Sequence, residues 1–180
     1  MAETPTIETI RTERLLLRPP RPSDAGALGH YSNDPRLARM TSTIPHPYPP
    51  GAADAFVERA AAGRLDEEVW VMDASPVEWS EVVGVITFRP KAAEIGYWVG
   101  VPFWGTGFAS EAVGGVVDHL FRTRGIDRIT AEVQAENEAS LRVLGKVGFR
   151  RTGEKPLFSV ARGEVVPGLT LALDRADRGL

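Results

Sequence analysis

The chain has 180 residues, of which 43% are hydrophobic and 25% charged, with a formal net charge of -3. That length suits one domain with a sizeable core of its own, and the slight negative charge argues against a dedicated nucleic-acid binder and mildly for a cationic substrate. The chain has no cysteine, which excludes disulfides, thiolate zinc sites and a cysteine nucleophile.

Residues 1–10 read as a loose N-terminal tail and 11–180 as the folded domain. The polar start lacks the apolar core of a signal peptide, and no apolar run is long enough to cross a membrane; a cytoplasmic protein is expected. Leu15, Leu16 and Leu17 predict a short strand, ended by Pro19, Pro20 and Pro22, which cannot donate to a ladder. Ser23 or Asp24 is placed to cap a helix over Ala25 to Tyr31. Residues 43–51 form a proline-rich loop. Ala52 to Ala62 reads as a helix closed by Gly63. Val69–Met72 and Val82–Phe88 are rich in β-branched and aromatic residues and predict two strands joined by a hairpin-like loop over 73–80. Ile95–Val99 is the next strand.

After that strand comes a glycine-rich turn, with Gly105 and Gly107, and then a long helix. Ala109, Ala112, Val113, Val116, Val117, Leu120 and Phe121 fall on one face at helical spacing. Gly125 stands where a left-handed cap is expected. Ile129, Ala131 and Val133 alternate with polar residues as a strand. A second helix starts near Asn137 and ends at Gly148, with Leu144 and Phe149 at the spacing of a Schellman contact. Gly168–Leu173 is a last strand. Antiparallel strands followed by a strand–helix–strand–helix unit define an α+β (mixed α/β) single domain.

The turn carries the chemistry. A glycine turn opening a helix aims unpartnered backbone N–H groups at one spot, with the helix dipole behind them, and so suits a phosphate or other anion. Glycines at 105 and 107 allow positive φ and close approach to the backbone. A tight turn that binds nothing is the competing reading. The chain lacks the Gly-Lys-Ser/Thr of a nucleotide P-loop and the third glycine and later acidic residue of a dinucleotide fingerprint. His30, His46 and His119 lie far apart without metal-ligand spacing, so no metal site is expected.

Four segments resemble one family. Thr12-Glu-Arg-Leu-Leu-Leu-Arg18, Ile95-Gly-Tyr-Trp-Val99, Trp104-Gly-Thr-Gly-Phe-Ala-Ser-Glu-Ala112 and the stretch from Asn137 to Phe149 occur in the order and spacing of the GCN5-related N-acetyltransferases, in the branch of the ribosomal-protein alanine acetyltransferases. The resemblance implies a splayed mixed sheet flanked by helices, with acetyl-CoA as co-substrate. Its pantetheine arm would lie in the gap between the strands ending at Val99 and Gln134. Trp98, Val99, Gly100 and Val101 would run along that arm, with the backbone of Val99 and Val101 pairing with it. Gly105, Thr106, Gly107, Phe108, Ala109 and Ser110 would cradle the pyrophosphate. The family often has Arg or Gln where this chain has Pro102, so that side-chain contact is absent.

The implied reaction is direct acetyl transfer to a primary amine, with a protein N-terminal α-amine as the first expectation for the acceptor. Small-molecule amines and a non-catalytic acyl-CoA-binding module are the rival readings. An attacking amine must be neutral, which makes a general base useful. Glu94 is the candidate base; a solvent-facing carboxylate paired with Lys91 or an arginine is its competing reading. Asn137 and Ser140 match positions that contact the cofactor arm, Asn137 also being a good helix cap and Ser140 a candidate hydrogen-bond donor or acid toward the thiolate. Many relatives use a tyrosine near the second strand–helix unit as the acid, and no tyrosine follows Tyr97 here. Glu111 is explained by the helix dipole. Trp98 and Trp104 read as core or cleft-wall packing, the loop with His46 and Tyr48 as an acceptor rim, and Arg128, Arg142 and Lys146 as a solvated basic face. Exposed strands near the C-terminus leave room for a homodimer.

Overall fold

A computed structural model describes residues 7–180; the expected tail lies outside the described residues through position 6. Ile10, placed in that tail by its sequence, instead belongs to the first strand. The elements are β1 (Ile10–Arg11), β2 (Leu16–Arg18), α1 (Ala25–Ser32), α2 (Pro35–Arg39), α3 (Ala52–Ala61), β3 (Glu68–Asp73), β4 (Gly84–Arg89), β5 (Glu94–Val99), α4 (Phe108–Thr123), β6 (Arg128–Gln134), α5 (Glu138–Val147), β7 (Arg150–Glu154), β8 (Leu157–Ser159), β9 (Glu164–Val166) and β10 (Gly168–Asp174).

Eight strands form one sheet in the order β1-β2-β3-β4-β5-β6-β10-β7, and β8 and β9 make a separate hairpin. Every pair in the large sheet is antiparallel except β5 with β6. Both faces of the sheet are covered. Trp70, Met72, Ile86 and Ile95 pack on one face beneath α4 and α5, while Val69, Val71 and Val85 pack on the other against α1 and α3. That explains why β3 reads as an unbroken apolar run: both of its faces are core. The α4 stripe expected from helical spacing is buried as Ala112, Val113, Val116, Val117, Leu120 and Phe121. Each large side chain fully buried in this way contributes roughly 1.5–3 kcal/mol.

The end of α5 forms the expected Schellman closure. Phe149 N donates to Leu144 O at 3.0 Å and Gly148 N to Gly145 O at 3.1 Å, and Leu144 and Phe149 are both buried. The expected cap at Asp24 is different. Its carboxylate makes no cap bond to α1; it accepts from Arg18 Nη1 and Nη2 at 2.9 and 3.0 Å and from Arg21 N at 2.7 Å. Arg18 also donates through Nε to Asp73 at 2.8 Å. A buried guanidinium demands such partners, and they outcompeted the helix end for this carboxylate.

The feature that positions the site is the parting of β5 and β6. Their register holds only at Glu94↔Thr130 and Ile95↔Ala131. Beyond that point β5 stays paired with β4 as far as Val99↔Gly84, and β6 stays paired with β10 as far as Gln134↔Gly168. The two strands therefore diverge into a V with its apex at residues 94–95.

Candidate active site

The V opens into a cavity of about 570 Å³ whose walls include Tyr97, Trp98, Gln134, Asn137 and Ser140, with Glu94 at its apex. On the β5 wall, Gly100 N donates to Val83 O at 2.8 Å. Backbone groups alternate in direction along a strand, so those of residues 94, 96 and 98 turn toward β4 and those of Tyr97 and Val99 turn toward the gap. The edge of β5 there offers backbone groups with no neighbouring strand. One is already engaged: Trp104 Nε1 donates to Val99 O at 2.8 Å. Trp104 is 50% exposed, so of core and cleft-wall packing it is the first that fails for it. Its indole is a bracket across the strand end. Val101 has left the strand and begins a 3-10 turn over Val101–Phe103.

The mouth of the V is the glycine turn. Gly107 occupies the N-cap of α4 with φ +84° and has no side chain to cap the helix; Phe108 N donates to Thr106 Oγ1 at 3.3 Å, and the next amides, of Ala109 and Ser110, are the ones left to an anion. Thr106 Oγ1 folds back to donate to Phe103 O at 2.7 Å. Phe108 is buried, its ring packs against Trp79, and its N–H is taken by Thr106, so it anchors the turn. A network invisible in the sequence braces the turn from outside. Glu111 accepts from Thr12 Oγ1 and Arg14 N, both at 2.6 Å, and from Arg14 Nε at 2.7 Å. Arg14 Nη1 reaches Thr106 O at 2.9 Å and its guanidinium lies 4.7 Å from the Phe108 ring centroid. Burial pushes the Glu111 carboxyl up, but the bonds from Thr12 and Arg14 outweigh it and hold it below the usual carboxylate range. Beyond its place near the helix N-terminus, the carboxylate ties the first segment of the resemblance to the third.

At the apex, Glu94 is mostly buried, its side chain 14% exposed, and is bonded to Arg89. Arg89 also faces Glu67 at 3.4 Å. Lys91, the other partner considered for Glu94, pairs with Asp66. Burial, and then the like charge of Glu132, raise Glu94 above the usual carboxylate range against the opposing pull of Arg89 and Lys155. Across the gap, Asn137 Oδ1 accepts from Ser140 N at 3.1 Å, which makes it the cap of α5, and its Nδ2 donates to Met40 O at 3.3 Å. Gln134 Nε2 donates to Thr41 O at 3.0 Å. These two side chains hang the loop after α2 over the cavity, a role the sequence reading did not assign. Tyr97 was also missed. Its hydroxyl lies 2.6 Å from Ser140 Oγ and 3.2 Å from Ser140 O. Period-2 alternation puts Tyr97 on the α5 side of the sheet with Ile95 and Val99, but its partner 43 residues later carries no local signal.

Two basic candidates are spent on the surface: Arg128 forms a paired contact with Asp174 at 2.6 and 2.8 Å, and Arg142 meets Glu138 at 3.5 Å. Among the described residues, no group of three or more His, Cys, Asp or Glu side chains is arranged to hold a metal ion, and no helix is long and apolar enough to cross a membrane.

An unpaired strand edge at the gap and uncapped amides at its mouth fit an extended acyl-bearing arm ending in a phosphate. The model of the acetyltransferase (GNAT) domain matches residues 14–150, and the chain belongs to that family. An uncharacterized N-acetyltransferase of Bacillus licheniformis, p20, is 32% identical over 165 residues, 89% of this chain and 92% of the relative. Mycobacterium smegmatis RimJ, solved in complex with a CoA-disulfide, superposes with a TM-score of 0.76 at 25% identity, covering 98% of this chain and 91% of that one. RimL, a ribosomal L7/L12 α-N-protein acetyltransferase solved with coenzyme A, shares the fold with a TM-score of 0.79 at 20% identity over 93% and 98%. The protein is an N-acetyltransferase of the RimJ-like branch, and acetyl-CoA is its co-substrate.

Proposed function

We propose that this enzyme acetylates a primary amine directly, with a protein N-terminal α-amine as the acceptor, in a cytoplasmic setting. Bound acetyl-CoA supplies an activated thioester carbonyl. The observation that carries the reading is Glu94: a carboxylate raised by burial and by Glu132, at the closed end of the V where an amine and a thioester can meet. A carboxylate shifted toward neutral pH is the better general base. An α-amino group, with a pKa of about 8, loses its proton far more readily than a lysine side chain at about 10.4. Glu94 takes the amine's proton, directly or through a water. Tyr97 N–H, facing the gap, donates to the carbonyl oxygen as charge builds there. The amides of Gly105 to Ser110 hold the pyrophosphate, and Ser140 meets the sulfur. The acceptor class draws support from the α-N-protein activity in RimL's name.

The test is a panel of peptides with free or blocked N-termini, alongside amino acids, polyamines and other small amines, incubated with acetyl-CoA and read by mass spectrometry. Acetylation of free N-termini alone supports the reading. Acetylation confined to small amines rejects the acceptor class, and no product with any amine rejects the activity. Fractionation of cells expressing the tagged full chain checks the compartment.

A further inference from the structure

We propose that Tyr97 is a positioning residue that aims the Ser140 hydroxyl at the sulfur of the acetyl donor. The inference rests on the proposed reading of the gap as the cofactor site. Its geometry is independent of the acceptor. Tyr97 reaches Ser140 from across the V, one residue on β5 and the other in the first turn of α5, with their hydroxyl oxygens 2.6 Å apart. Two hydroxyls that close share one hydrogen, and the other hydrogen must go elsewhere. Asn137 fixes the Ser140 backbone by capping its N–H, so the remaining freedom is the rotation of the Ser140 hydroxyl. The Tyr97 hydroxyl has two acceptors on Ser140, the carbonyl at 3.2 Å and the nearer Oγ at 2.6 Å; when it donates to Oγ, the hydrogen of Ser140 is turned away from the phenol and into the cavity. Burial pushes the Tyr97 hydroxyl up to about 12, against the smaller opposing effect of its bond to Ser140, so it keeps its proton, and its ability to donate, at any working pH.

The chemical consequence is a hydrogen bond rather than a proton transfer. The C–S bond breaks as the C–N bond forms, and its electron pair stays on sulfur. The amine's proton leaves to Glu94, and Ser140 keeps its own proton while donating to the charged sulfur. A thiol of pKa about 8.5 is a good enough leaving group for such a donor to suffice. Hydrogen bonds to charged acceptors are the strong ones.

The same pair should favour the thiolate of bound CoA over its thiol, which gives a test that needs no acceptor. The full chain, Tyr97→Phe, Ser140→Ala and the double variant are titrated calorimetrically with CoA and with desulfo-CoA, which lacks the sulfur, at pH values on both sides of thiol ionisation. The other charged groups about the gap are Arg59, Glu67, Arg89, Glu94 and Glu132 in its lining, Lys155 beside Glu132, Arg162 and Glu136 beside Gln134, and Glu138 and Arg142 on α5; desulfo-CoA reports their titration without the thiol. In the wild type, CoA affinity should rise relative to desulfo-CoA as the thiol ionises. Ser140→Ala should lose about tenfold of that gain, Tyr97→Phe should lose most of the same factor, and the double variant should lose no more than Ser140→Ala. The proposal is overturned if Tyr97→Phe keeps the wild-type gain, if it weakens desulfo-CoA as much as CoA, or if Ser140→Ala changes nothing. A wild type that binds neither ligand overturns the reading of the gap itself, whereas normal CoA behaviour with no acetylated amine overturns only the proposed reaction.

Discussion

The mouth and the apex of the V each hold a glutamate, and the two are treated in opposite ways. At the mouth, Glu111 is saturated by Thr12 and Arg14 and held below the usual range. At the apex, Glu94 has one arginine, a carboxylate neighbour and little water, and is raised. A carboxylate given more donors than it needs is a strut: it holds geometry and stays charged. A carboxylate kept short of donors is easily protonated and can exchange a proton with a substrate. On the proposed reading, the contrast separates the part of the site that shapes from the part that reacts.

The largest effect expected from breaking this contrast is at the apex. Glu94→Gln should lower kcat/KM by about a hundredfold or more, remove the acidic limb of its pH profile, and leave acetyl-CoA affinity unchanged. Its effect on folding stability should not exceed about 1 kcal/mol, since a half-exposed arginine is its partner. Unchanged turnover across pH would reject Glu94 as the base. Glu111→Gln should behave in the reverse manner, costing about 2 kcal/mol in chemical denaturation through its lost charged bonds and weakening acetyl-CoA, with the shape of the pH profile intact. Next in size is Gly107→Ala. Its φ of +84° costs a residue with a Cβ about 1 kcal/mol, and calorimetry should show weaker acetyl-CoA binding with kcat at saturation little changed.

The smallest effect is a pH signature. Glu111 has a folded-state pKa below its unfolded value of about 4.3, so the stability it contributes is present above that pH and is lost as pH falls through the folded value. The gap in stability between wild type and Glu111→Gln should therefore close on acidification below about 4.3. Glu94 has the opposite sign, its charged form being the one disfavoured by folding. The fold should lose a little stability as pH rises from the ordinary glutamate range through the raised value, and Glu94→Gln should abolish that loss. Denaturant midpoints measured across pH for the three proteins would show both trends, and parallel curves would reject the distinction.

What the sequence disclosed was whatever repeats over one or two turns. The stripe of α4, the Schellman closure of α5 and the strand feeding the glycine turn are periodic or local signals, and each reappears in the structure. Short or irregular pieces did not announce themselves: α2 has five residues, and β7, with Arg150 and Arg151 exposed at its start, has no alternation to find. Partnerships across the fold were the other blind spot. Asp24 looked like a cap because Arg18, though only six positions away, stands at no helical or strand repeat from it and is held in place by Asp73, 55 positions further on. Glu111 looked like a dipole residue because Thr12 and Arg14 are 99 and 97 positions away. Tyr97 gives no sign of its role because Ser140, 43 positions further on, meets it only across the gap.

The edge of β5 and the amides of the glycine turn have a further consequence. On the proposed reading, recognition there is written in main-chain atoms, which every residue type supplies except proline at its nitrogen. Side chains along that wall can drift without erasing the donor site, so long as the glycines and the strand persist. The part of the cavity toward α1 and α3, with Tyr48 and Phe56, is written in side chains, and single substitutions there can rewrite it. A molecule divided in this way can keep its donor while its descendants take up new acceptors.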